Sequence, residues 1–220
     1  MKKSTIGMLG RAVLLFLMVV VAYYLLAWWI ETKQEEAALM KSERINVPVK
    51  QLLMETPDTP EDLFDFTWRI GNNSRNSEKL GPKEDILRGW TKDGDFSYPM
   101  IVQHVLKYES PIKANQYFDT HRPEDYYSGV RDQDPDKRYP KHFPYRSPYA
   151  DQQHVVCGAG EPENCASWYY WARYGQYNLL IIYRRGDYPG SPDVFADIVA
   201  PFDRYVGEQL KKAAQKDGGR

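Results

Sequence analysis

The chain lacks the short motifs that announce an enzyme or a cofactor site. It has no GxSxG, and no serine sits in an evident frame of histidine and aspartate. Gly158-Ala159-Gly160 is too short for a dinucleotide fingerprint and lies between two cysteines, not at a strand-to-helix turn. The histidines, His104, His121, His142 and His154, show no HxxxH spacing, and the cysteines no CxxC, so no zinc-type site is expected. Two working carboxylates for glycoside hydrolysis cannot be picked from 30 acids without a fold. The expectation is a chain that is not an enzyme and carries no cofactor.

Positive charge is in short supply too. There are 29 Lys and Arg against 30 Asp and Glu, and three of the basic residues (Lys2, Lys3, Arg11) precede residue 12, where no acid lies. The remainder is therefore at net −4. That excludes nucleic acid as a partner, since its affinity comes mainly from Lys and Arg at phosphates. It also excludes electrostatic capture by anionic lipid.

Cysteine occurs twice, as Cys157 and Cys165, with seven residues between them. Gly158, Gly160 and Pro162 make that segment a tight loop. In an exported domain such a pair reads as a disulfide. Its closed loop is short, so the chain-entropy contribution is about 2–3 kcal/mol at most.

What the chain does have is one long apolar run, Ala12 to Ile30, AVLLFLMVVVAYYLLAWWI, 19 residues without a charge. As an α-helix it would span about 28 Å, close to the hydrocarbon thickness of a bilayer. The basic stub before it and the mixed flank after it place the N-terminus in the cytoplasm and the long remainder outside. Tyr23, Tyr24, Trp28 and Trp29 fall toward the outer end, where amphipathic rings favour the headgroup layer. A cleaved signal peptide would have a shorter core and small residues at its end. Here the run ends in Trp28-Trp29-Ile30, which points to an uncleaved signal-anchor. The expected organisation is a cytoplasmic stub (1–11), a transmembrane signal-anchor (12–30), a stalk (31–57), an extracytoplasmic domain (58–213) and a flexible tail (214–220). Thr59-Pro60-Glu61-Asp62 reads as a helix start, with Leu63, Phe64, Phe66 and Trp68 as its docking surface. Residues 71–82 read as loop.

Within the domain, 98–108 alternates as a strand, and Ser110-Pro111 opens a helix to about Phe118. Residues 119–152 hold five prolines and five tyrosines and read as an ordered excursion packed on the domain or on a partner. Trp168–Tyr174 and Tyr177–Arg184 form a hairpin turned by Gly175-Gln176, and Val155–Cys157 is a candidate further strand. From Ser191 or Pro192 to about Ala213, apolar residues recur at helical spacing, with Pro201 predicting a kink or break. The fold class is α+β: an antiparallel sheet packed by a long C-terminal helix and preceded by a single N-terminal transmembrane helix.

Two patterns could carry binding. Asp132, Asp134 and Asp136 resemble the opening of a calcium loop, but Lys137 and Phe143 stand where the pattern needs Gly and Glu. A solvated acidic turn is the expectation there, with calcium left open. The aromatic run puts Trp168 and Tyr170 on one side of a strand and Tyr169 and Trp171 on the other, so both sides need cover. One is assigned to the core under the long helix. The other is expected to lie under the Tyr/Pro excursion; the functional alternative makes Trp168, Tyr169, Tyr170 and Trp171, with Tyr139 and Tyr145 of the excursion, a candidate partner or ligand face. Together these features suggest a membrane-anchored accessory subunit that binds and stabilises a complex of integral membrane subunits. The alternatives are an extracytoplasmic ligand-binding or sensory domain, its ligand unknown, and an envelope enzyme.

Overall fold

The structure is a computed structural model describing residues 17–18, 20–26, 45–55, 66–71, 81–92, 100–123, 130, 134–186 and 190–218; the side chains of 66–71, 92, 135–136 and 217–218 are excluded. The chain divides into two compact units, Met1–Lys41 and Ser42–Arg220.

In the first unit residues 17–18 and 20–26 are helical. Leu17, Met18, Val21, Tyr23, Tyr24, Leu25 and Leu26 are each more than half exposed. No helix among the described residues is long and apolar enough to cross a membrane. The rest of the Ala12–Ile30 run, including Trp28 and Trp29, lies outside the described residues, as does the Thr59 helix start.

The second unit is α+β. Its strands and helices are β1 (Phe66–Gly71), β2 (Glu84–Lys92), β3 (Met100–Lys107), α1 (Pro111–Thr120), α2 (Pro135–Arg138), β4 (Gln152–Cys157), β5 (Gly160–Glu161), β6 (Asn164–Cys165), β7 (Ser167–Tyr174), β8 (Tyr177–Arg184) and α3 (Pro192–Gly218). Six strands form one sheet in the order β1-β2-β3-β8-β7-β4, every neighbouring pair antiparallel. The β7–β8 turn is Gly175-Gln176, and Gly175 has φ 56°, a conformation that costs glycine nothing. α1 is capped by Ser110, whose Oγ accepts from the Lys113 backbone N–H at 3.3 Å.

Strand alternation sends two apolar sets to opposite faces. On one face Trp90, Ile101, Val105, Trp168, Tyr170, Leu179, Ile181 and Tyr183 meet α3 through Phe195, Ile198, Val199, Phe202 and Val206. Trp168 stacks on Phe195 at 5.4 Å, and Trp90 meets Phe202 at the same distance. On the other face Val102, Leu106, Tyr169, Trp171, Leu180 and Ile182 pack with Ala114 and Phe118 of α1 and with Val130.

Four expectations are corrected here. Residues 45–55 are not stalk: Val47, Val49, Leu52, Leu53 and Met54 are buried beside α3 in the same core, so the domain begins well before residue 58. This segment makes only one short 3₁₀ turn, Val49–Leu52, and side chains of the sheet hold its backbone. Gln103 donates to the Leu52 carbonyl (2.9 Å) and accepts from the Met54 N–H (3.0 Å); Arg88 donates to the Met54 carbonyl. The Tyr177 hydroxyl accepts from the Val47 N–H at 2.7 Å, and the Tyr205 hydroxyl donates to the Gln51 carbonyl at 3.3 Å.

Phe66 and Trp68 belong to β1 rather than to a helix, and β2, unforeseen, pairs with it from Gly71↔Leu87 to Phe66↔Lys92. Of the kink or break expected at Pro201, the break does not occur: α3 is continuous there. The lost hydrogen bond costs about 3 kcal/mol, but buried side chains on both sides of it, each contributing about 1.5–3 kcal/mol, hold both halves on the sheet. α3 also continues to Gly218, beyond Ala213, into the expected tail.

Candidate functional site

The aromatic residues singled out in the sequence do not form an exposed face. Trp168 and Tyr170 are buried under α3, and Tyr169 and Trp171 are buried on the α1 side. The expectation of a core face under the long helix holds. The partner or ligand face does not, because α1, with Val130 of the excursion, covers Tyr169 and Trp171: Phe118 stacks on Trp171 at 5.5 Å, and the Trp171 indole N–H donates to the Phe118 carbonyl at 3.3 Å. Tyr139 is 44% exposed and meets His154 edge-on at 5.8 Å. Tyr23 and Tyr24 meet each other edge-on at 6.1 Å.

Cys157 and Cys165 form the disulfide, with Cα atoms 5.8 Å apart and both side chains buried. β5 and β6 are the two arms of the loop that it closes. Asp134 is exposed, while Asp132 and the Asp136 side chain lie outside the described residues. Among the described residues no group of three or more His, Cys, Asp or Glu could hold a metal ion.

One carboxylate lies outside the sequence-based expectations. Asp203 of α3 is 0% exposed and no cation pairs with it among the described residues. Four hydroxyls surround it instead. Oδ1 accepts from Tyr170 at 2.8 Å and from Tyr174; Oδ2 accepts from Tyr145 at 2.7 Å and from Ser147 at 2.8 Å. An ionised carboxylate has about four lone-pair sites, so this set uses all of them, which offsets the cost of burial. Burial first, and then the Asp203 charge and hydrogen bond, push the Tyr145 and Tyr170 phenols above their ordinary range. Burial first also raises Tyr174, with Tyr170 next to it as the second cause. The sequence carried a signal: Asp203 follows Val199 by four residues and precedes Val206 by three, which puts it on the buried stripe.

Asp203 also pins the excursion. Ser147 Oγ accepts from the backbone N–H groups of Tyr149 (3.1 Å) and Ala150 (2.8 Å), and Gln153 of β4 holds Ser147 N–H and the Tyr145 carbonyl. Gly207 of α3 is where Tyr149 lies against the helix: a Cβ there would come within 2.2 Å of the ring. From 143 to 149 burial then alternates. Phe143, Tyr145, Ser147 and Tyr149 turn inward, while Pro144, Arg146 and Pro148 are exposed.

The second constellation lies on the α1 face. Strand register puts Leu87, His104, Leu180, Trp171 and His154 in one row across β2, β3, β8, β7 and β4. Asp85 sits diagonally from His104, and His104 Nε2 meets Asp85 Oδ2 at 3.2 Å; the two side chains are 18% and 9% exposed. At the end of α1, His121 stacks on Tyr117 at 3.8 Å. Between them is a cavity of about 90 Å³ lined by His104, Leu106, Tyr117, His121, Pro123, Trp171 and Leu180. Among the described residues the lining includes no serine, threonine or cysteine.

No family model, curated protein or solved structure matches this chain.

Proposed function

We propose that the chain is a single-pass membrane protein with its N-terminus in the cytoplasm, whose extracytoplasmic α+β domain serves as a non-catalytic accessory subunit of a membrane complex. The observation that carries this reading is the helical stretch within 17–26, whose large apolar side chains stand exposed. In water that exposure is unfavourable by about 25 cal/mol per Å²; in lipid it is not. The disulfide supports the extracytoplasmic placement, because reducing compartments keep such thiols free. The partner surface we assign is the outward row Pro144, Arg146 and Pro148, with exposed Tyr139 nearby in sequence: rigid, aromatic and guanidinium groups on a strip that Asp203 and Gln153 hold in place.

The test is purification of the full chain from membranes in a mild detergent. Integral partners should come down at stoichiometric levels, and Arg146→Glu should deplete them while leaving the fold intact. A chain that always purifies alone would overturn the subunit reading. A mature N-terminus beyond Ile30, or free thiols at Cys157 and Cys165 in native material, would overturn the anchored and exported placement. A second reading, an extracytoplasmic ligand-binding or sensory domain, draws support from the cavity beside His104.

A further inference from the structure

We propose that a second cavity, between the β7–β8 turn, α3 and residues 148–151, binds an amphipathic monoanion: a carboxylate on an apolar chain, of the fatty-acid class. The site lies wholly within the α+β unit and does not rest on the subunit reading. Three observations restrict the ligand. The first is size. The cavity holds about 390 Å³, more than twice the roughly 150 Å³ that takes a benzene ring, and within the range of small-molecule pockets. The second is the wall. Ile45, Pro148 and Leu210 line it together with Tyr149, Tyr174 and Tyr177. The Tyr174 hydroxyl is taken by Asp203, and the Tyr177 hydroxyl by the Ile45 and Val47 backbone, so these two residues offer ring surface. An apolar body suits such a wall.

The third restriction is charge. Gly175 and Gly207 bring no side chain to the lining, and its other polar groups are engaged, save one. Gln176 donates to the Ile45 carbonyl at 3.0 Å. Asp151 Oδ2 accepts from the Gly175 N–H at 2.7 Å and pairs with Arg173 at 3.0 Å. Lys211 of α3 is the one left. It is exposed, and it has no hydrogen bond or ion pair among the described residues. One uncompensated cation thus stands beside an apolar wall, and an acidic head group complements it. A cationic head would be repelled there, and a neutral one would gain nothing from the charge.

The probes are octanoate, octanol and octylammonium, which share a chain length and differ in head group. Each is dialysed to equilibrium against the full chain in phosphatidylcholine nanodiscs, with uptake by empty nanodiscs subtracted. One octanoate per chain should bind saturably. It should bind about two- to fivefold more tightly than octanol, the worth of an ion pair with an exposed lysine, and octylammonium should bind most weakly. Lys211→Glu should invert that order. Lys212→Glu, one residue on and outside the lining, should preserve it. Leu210→Trp, which fills the cavity from its wall, should weaken all three probes. The proposal is overturned if uptake does not saturate or if the three probes bind equally. It is also overturned if Lys211→Glu keeps the order, if Lys212→Glu inverts it, or if octanoate binds Leu210→Trp as well as the parent chain. Lys211 and Lys212 are exposed, so their variants keep the fold and decide the matter even if Leu210→Trp does not fold.

Discussion

On the α3 face the strand side chains from Trp90 to Tyr183 meet cover drawn from three separate parts of the chain: the 45–55 segment, α3 and the 143–150 strip. On the α1 face a ten-residue helix covers β7 and β8, and leaves Leu87 and His104 only half-buried beside a cavity. The two faces belong to one sheet and share its register. They share one device, buried polar side chains that bind the covering elements, and differ in a single half-buried pair. Under α3 the buried polar side chains, Gln103, Arg88 and Asp203, bind backbone or hydroxyl groups of the covering elements and lock them down. Under α1 the Trp171 indole and the Asn178 amide likewise donate to helix carbonyls, those of Phe118 and Ala114, while the His104–Asp85 pair bonds within the sheet itself. The closed face holds the fold; the half-open face has room for chemistry.

The largest effect should come from alkali acting on the closed face. Tyr145, Tyr170 and Tyr174 have folded pKa values raised above the unfolded value of about 10. The folded state therefore keeps protons that the unfolded chain releases. The contribution is fully present below about pH 10 and is lost as pH climbs from there toward the higher folded values. Circular dichroism and phenolate absorbance should change in one step above about pH 10. Ionisation of these three phenols with the fold intact would contradict the closed cage.

Next comes Asp203→Ala. It leaves three tyrosine hydroxyls and Ser147 without their acceptor, at about 1–3 kcal/mol for each group that finds no substitute, so the loss should exceed about 3 kcal/mol in urea unfolding. Asp203→Asn, which keeps one acceptor oxygen, should lose roughly half as much. Gln103→Leu should cost about 2 kcal/mol, because the Leu52 carbonyl and Met54 N–H stay buried without a partner, and it should open 45–55 to proteases before the rest unfolds. The smallest effect belongs to the other face. Leu106→Phe has a cavity to grow into and should shift stability by less than about 1 kcal/mol, whereas Ile181→Phe under α3 should cost about 1–3 kcal/mol by overpacking. Equal costs for this pair would erase the contrast between the faces.

Where local rules dominate, the sequence was readable. The Gly175 hairpin, the Ser110 cap, the α3 stripe and the short cysteine loop each depend on residues close together in the chain. What escaped depends on distant partners. β2 reads Ile86-Leu87-Arg88-Gly89-Trp90, and the charge at Arg88 hides the inward set Ile86 and Trp90; Arg88 is tolerated there because the Met54 carbonyl, 34 residues away, accepts from it. The 45–55 segment has no period to detect, since tertiary hydrogen bonds rather than a helix or ladder satisfy its backbone. The His104–Asp85 pair is 19 residues apart and exists only through the β2–β3 register. The aromatic density at 168–171 was visible, but whether a face is open depends on what covers it, and α1 supplies that cover.

The burial of Val47, Leu52 and Leu53 has a practical corollary for anyone cutting the chain down to its α+β unit. Trimming the N-terminus back to residue 58 would excise a wedge of the interior and expose the strands it shields. A fragment that keeps this fold must therefore start upstream of Ile45.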